Sequence, residues 1–163
     1  YGIPSDVKGY DFLKKEQIEF YKKETDALMK KYSHADSMMY MHIAFPEFAD
    51  VFKEVDGGRY EPTGEYEVLY GEQWESVGCS PYNSGMFAAI EEKGTTKAVF
   101  VGHDHINDFR INVDGIDLYQ TLGAGYFTYG KERGGRLIIL DENNPKEIYT
   151  ESIEIERITD ADI

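Results

Sequence analysis

The sequence predicts an α/β fold with mixed sheets, on three observations. Segments of helical period alternate with short apolar runs, and one stretch reads strand, loop, helix, strand, which is a crossover between parallel strands. An Asp-Gly pair flanked by alternating residues adds an antiparallel hairpin. The run Val99-Phe100-Val101 leads straight into Gly102-His103-Asp104-His105, so a strand end delivers two of the chain's four histidines within three residues.

Composition bounds what such a fold can do. A chain of 163 residues is long enough for one domain with a sizeable core. Thirteen Tyr and nine Phe exclude a disordered segment. The 31 acidic and 17 basic side chains leave a net charge of −14, which argues against nucleic acid and anionic membranes as partners, because phosphate backbones are neutralised by Lys and Arg. A small phosphorylated substrate held through bound cations stays compatible, since a metal inverts the local field. Cys79 is the only cysteine, so no internal disulfide and no cysteine-based zinc framework forms, and the redox compartment stays open. No stretch of apolar residues is long enough for a membrane span. The chain begins at Tyr1 rather than Met and reads as starting mid-domain, with any targeting segment upstream.

Taken in order, residues 1–10 are a loop and residues 13–32 a helix. Ile18, Tyr21, Leu28 and Tyr32 share one face, and Lys30 and Lys31 suit the negative end of the helix dipole. Residues 37–43 (Ser-Met-Met-Tyr-Met-His-Ile) form a short apolar strand buried on both faces, with His42 at its carboxyl end and Pro46 as its breaker. Residues 49–83 are acidic and rich in glycine, and read as a long loop or lid anchored by Tyr60, Tyr66, Tyr70 and Trp74. Glu61, Glu65, Glu67, Glu72 and Glu75 there read as a solvated face. Residues 86–93 form a helix, with Ser84 or Asn83 as N-cap and Gly94 as the stop. Residues 97–101 form the parallel strand that follows. The hairpin occupies residues 109–120, turning at Asp114-Gly115. Residues 122–135, with Gly123-Ala124-Gly125-Tyr126-Phe127-Thr128-Tyr129-Gly130, are either a tight loop approaching the site or a structural connection. Two further strands fall at residues 136–140 and 147–155.

The chemistry rests on the histidines. In open α/β sheets, ligands bind outside the carboxyl ends of the strands, and His42 and His103 both sit there. Positions i and i+2 face one way along a strand, yet a preceding glycine lets the backbone turn His103 and His105 toward different ions. Three histidines fit a mononuclear zinc site, or the nitrogen side of a two-metal centre completed by carboxylates from elsewhere. Asp104 and Asp108 read as supporting or capping groups, not as a bridge between ions. His34, in the loop before the strand, reads as an incidental surface residue.

Gly102-His103-Asp104-His105-Ile106-Asn107-Asp108-Phe109 resembles the last metal-binding motif of the calcineurin-like metallophosphoesterases. His42-Ile43-Ala44-Phe45-Pro46-Glu47-Phe48, Asn83-Ser84-Gly85-Met86-Phe87, Gly125-Tyr126-Phe127-Thr128-Tyr129-Gly130 and Tyr10-Asp11-Phe12-Leu13 with Gln17-Ile18 resemble, in order, landmarks of its purple-acid-phosphatase-like branch. Ala44 and Phe48 depart from residues common in that branch without touching a ligand. The resemblance implies the C-terminal half of a four-layer α/β/β/α sandwich, with residues 1–163 one portion of a single domain. It implies that His42 and His103 ligate one metal and His105 another, in a pair of iron, manganese or zinc ions that hydrolyses phosphate esters. The family's earlier motifs, including its bridging Asp, have no counterpart here. The expectation is therefore a domain fragment, inactive or nearly so alone, that self-associates or pairs with its missing N-terminal half. Two alternatives stand beside it: a non-catalytic metal-binding or interaction domain that keeps the fold, and a nucleotide phosphodiesterase.

Overall fold

The computed structural model describes residues 9–155. Its elements are α1 (Lys15–Lys31), β1 (Ser37–Tyr40), a 3-10 turn (Pro46–Phe48), β2 (Phe52–Val55), β3 (Arg59–Pro62), β4 (Glu67–Glu72), α2 (Met86–Lys93), β5 (Thr96–Val101), β6 (Asp108–Val113), β7 (Ile116–Gln120), β8 (Gly134–Leu140) and β9 (Ile148–Glu154). The loop expected at residues 1–10 falls mostly outside the described residues.

Five strands form one mixed sheet in the order β1-β5-β7-β6-β4. The predicted crossover is present: β1 pairs parallel with β5, which pairs parallel with β7. The Asp-Gly hairpin is also present, pairing β6 antiparallel with β7. Asp114 (φ 49°) and Gly115 (φ 83°) both adopt the left-handed conformation that a two-residue hairpin turn needs to match the strand twist.

Alternation along the strands divides the core between the two faces. Val99, Val101, Phe109, Ile111, Val113 and Leu118 point to one side and pack with Phe48, Phe87 and Ile90. Ile18 and Tyr21 bring α1 to that cluster, and the Tyr21 hydroxyl lies 2.8 Å from Thr96 Oγ1. The helices are clipped together by Lys93 to Asp26 at 2.7 Å and by Lys22 to Glu92. On the other face Ala98, Phe100 and Tyr119 meet Ile138 of β8 and Ile148 of β9. Arg136 of β8 pairs with Asp108 beneath this layer, and its guanidinium lies 5.2 Å from the Tyr119 ring centroid. The described residues thus supply a helical layer, the main sheet and the β8–β9 hairpin, three of the four layers of the expected sandwich.

Residues 49–83 are more ordered than a loop or lid. They contain the β2–β3 hairpin, turned at Gly57 and Gly58 (φ 80° and 76°), and β4, which adds an edge to the main sheet. The acidic residues that hide this strand in the sequence are typical of an edge, where charge blocks pairing with other chains. The N-cap expectation also changes. Gly85 (φ 85°) holds that position, while Asn83 Oδ1 accepts its N–H at 2.9 Å and builds the turn before α2.

Phe109 is fully buried, whereas Phe127 is fully exposed. Phe109→Ala is expected to lower unfolding stability by about 3–5 kcal/mol, against a change within about 0.5 kcal/mol for Phe127→Ala, in urea titrations of the two variants.

Candidate metal centre

The parallel strands β1, β5 and β7 are neighbours and all end at one edge of the sheet, and the pairing continues past their ends. Met41 N–H donates to Phe100 O at 2.9 Å, and Gly102 N–H to His42 O at 3.2 Å. On the other side Thr121 N–H donates to Val101 O, and Gly123 N–H to His105 O, both at 3.0 Å. The loops carrying His42, His103 and His105, and the Gly-rich loop after β7, are therefore zipped together by backbone bonds. This decides between the two readings of residues 122–135: the loop does approach the histidines. A Cβ on Gly123 would lie 3.0 Å from the His105 Cβ, so the close approach leaves little room for a side chain.

His42 and His103 face each other, with Nε2 of the first 3.3 Å from Nδ1 of the second and ring planes 86° apart. Two nitrogens bound at about 2.0–2.1 Å to one tetrahedral ion lie about 3.3–3.4 Å apart, so this pair fits the edge of a coordination polyhedron. Burial, followed by the neighbouring His42, holds His103 below the ordinary imidazole range, which favours the neutral ring a metal needs. His103 reaches this place through a left-handed backbone (φ 37°), a conformation costing about 1–2 kcal/mol for a non-glycine residue. The His105 ring has different neighbours: Nδ1 meets Thr128 Oγ1 and the imidazole stacks on Tyr129 at 4.6 Å between centroids.

Among the described residues, no three His, Cys, Asp or Glu side chains converge as a set that could hold an ion. His42 and His103 fit as two donors and leave the remaining positions to be filled from elsewhere. Neither nearby aspartate supplies them. Asp104 is buried, its Oδ1 accepts Gly78 N–H at 2.9 Å, and desolvation pushes its carboxyl up to about 6. Asp108 belongs to the Arg136 pair on the far face. His34 is exposed in the loop before β1.

Several supporting residues escaped the sequence. Glu75, read there as part of a solvated face, accepts the Tyr129 hydroxyl at 2.8 Å. Asn107 is fully buried and holds the Glu75 segment: its Oδ1 accepts the N–H groups of Trp74 and Glu75 at 2.8 and 3.0 Å, and its Nδ2 donates to Glu75 O at 3.0 Å. Gly78 carries no pattern that marks it, yet a Cβ there would lie 2.4 Å from His103 Cδ2. Gln120, at the end of β7, donates to the carbonyls of Gly102 and Asp104 and so braces the histidine loop from below.

The chain is 30% identical over 151 residues to the probable inactive purple acid phosphatase 29 of Arabidopsis thaliana, a match covering 86% of this chain and 36% of that protein. It is 35% identical over 130 residues to the probable inactive purple acid phosphatase 14 of the same plant, covering 75% of this chain and 29% of that protein. Phosphatase DCR2 of Saccharomyces cerevisiae is 29% identical over 161 residues, covering 86% of this chain and 26% of that protein. The matches fall in the C-terminal part of these relatives. This chain belongs to the purple-acid-phosphatase-like branch of the calcineurin-like metallophosphoesterases. It spans between 26% and 36% of the length of these three purple-acid-phosphatase-like relatives. No protein-family model matches it, and no solved structure does.

Two substitutions test the geometry. Gly78→Ala is expected to displace the His103 ring, read as a change in the His42 and His103 side-chain NMR signals with the fold retained. Asn107→Ala strands three backbone groups of residues 74 and 75 and is expected to cost about 2–4 kcal/mol in denaturant unfolding.

Proposed function

We infer that this chain is the histidine-bearing part of a metal-dependent phosphate-ester hydrolase, and that it is inactive or nearly so without its N-terminal counterpart. The observation that carries this reading is the 3.3 Å approach of His42 Nε2 and His103 Nδ1 at the carboxyl edge of a parallel sheet, with His105 held by Thr128 instead. In it, His42 and His103 hold one ion and His105 holds the other. Bound ions, of iron, manganese or zinc, would neutralise charge on a phosphoryl group and activate water for its hydrolysis. In this reading the histidine rings would hold the ions, and the Asp104–Gly78 bond and Gln120 keep the loop that carries two of the rings in place. The open outer edge of β1, which has no neighbouring strand among the described residues, is where the N-terminal half of the domain would add its own strands. The substrate is then a small phosphorylated molecule, consistent with a net charge of −14 that disfavours nucleic acid.

A second reading is a domain that binds metal without catalysis. Two of the relatives bear the words "probable inactive" in their names, and the described residues alone gather only part of a ligand set.

The test is a protein joining this chain to the N-terminal part of its family's domain, assayed on p-nitrophenyl phosphate and on bis(p-nitrophenyl) phosphate with metal content measured in parallel. Hydrolysis that chelator abolishes, and that falls at least about 100-fold in His103→Ala with loss of bound metal, is the expected result. Bound metal without hydrolysis of either ester supports the non-catalytic reading. Metal content unchanged in both His103→Ala and His105→Ala removes those residues from the site.

A further inference from the structure

Two segments remote in sequence close on His105. The connection after β4 brings Glu75, and the Gly-rich loop after β7 brings Thr128 and Tyr129. The Tyr129 ring stacks on the imidazole, with 21° between the planes. Its hydroxyl accepts the His105 backbone N–H at 3.3 Å and lies 2.8 Å from both oxygens of the Glu75 carboxylate, to which it donates. Glu75 Oε1 also accepts Ile106 N–H at 3.3 Å, so one carboxylate ties Tyr129 to the backbone beside His105. Both segments are braced from behind. Asn107 fixes the backbone of Glu75, and Arg133 Nη2 donates to Thr128 O at 2.7 Å. Gly130 is needed for the loop to pass, since a Cβ there would lie 2.3 Å from Ile106 Cγ2.

A ring held on its face and at one nitrogen has a fixed plane; a hydroxyl partner can donate or accept, and the tautomer it meets decides whether the other nitrogen has a lone pair. We propose that Glu75 and Tyr129 are positioning residues that clamp the His105 imidazole while Thr128 accepts a hydrogen bond from Nδ1–H, so that Nε2 is kept as the metal-binding nitrogen. The carboxylate acts on the imidazole through the Tyr129 hydroxyl. This rests on the metal-dependent reading above, and it adds three residues that a motif of two histidines does not contain.

The experiment is long-range proton–nitrogen NMR on His105 in the metal-free chain at mildly alkaline pH, where imidazole is neutral. The wild type is expected to show the Nδ1–H tautomer and ring protons displaced by the stacked Tyr129. Thr128→Val is expected to lose the tautomer preference. Tyr129→Phe keeps an aromatic ring and removes only the hydroxyl, and Glu75→Gln weakens the acceptor. Both are expected to reduce the displacement of the His105 ring protons with the melting temperature retained and, in the protein joining this chain to the N-terminal part of the domain, to weaken Zn2+ binding at His105 by about 10- to 100-fold. An Nε2–H tautomer in the wild type, or ring-proton shifts unchanged in both variants, overturns the proposal. In that joined protein, Zn2+ that leaves the His105 signals untouched, with the Nδ1–H tautomer present, counts against the metal-dependent reading and leaves the clamp standing.

Discussion

The candidate site depends on a run of backbone hydrogen bonds that outlasts the strands. Parallel pairing places the carboxyl ends of β1, β5 and β7 side by side, and the ladder then continues through Gly102 N–H to His42 O and Gly123 N–H to His105 O. Loops are ordinarily the mobile part of a domain, and here their spacing is set by the same bonds that set the spacing of the strands. Histidines 61 residues apart in the chain meet as a consequence. The apolar faces of the sheet keep the ladder in register, because slipping any strand by one residue would turn Val99, Val101, Ile111 and Leu118 out of the helix-covered core.

What the ladder cannot do is aim the side chains, and that work falls on unfavourable local conformations held by their surroundings. His103 takes a left-handed backbone, and Asp104 beside it is a buried carboxyl whose Oδ2 has no partner. Both are costly, and both belong to the turn that sends His103 toward His42 and His105 toward Tyr129. The bond from Gly78 N–H to Asp104 and the bonds from Gln120 offset part of that cost. A turn strained on its own but fixed by neighbouring elements is the expected form of a pre-arranged ligand site.

Much of this was legible in the sequence. The crossover, the Asp-Gly hairpin, helix 86–93 with its glycine stop, and the placement of His42 and His103 at one sheet edge follow from periodicity and turn chemistry, which are local signals. Residues 49–83 were harder, because β4 is an edge strand whose Glu67, Glu72 and Tyr70 obscure a period-two pattern that only Val68 carries inward. Glu75 looks like a surface charge because nothing near it in the sequence announces Tyr129, 54 residues away. Gly78 and Asn107 owe their roles to a close approach and to backbone groups of another segment, and long-range proximity of that kind leaves no trace in spacing. The family was legible from ordered landmarks, and the relatives bear it out. The assignment of each histidine to an ion came with the resemblance.

In the proposed function these three histidines serve two different ions. Anomalous X-ray diffraction from crystals of a protein joining this chain to the N-terminal part of the domain, grown with Zn2+, reads it directly. Two anomalous peaks are predicted, one bonded to both His42 Nε2 and His103 Nδ1 and the other to His105 Nε2. A single peak shared by all three rings, or peaks that avoid the histidines, would contradict it.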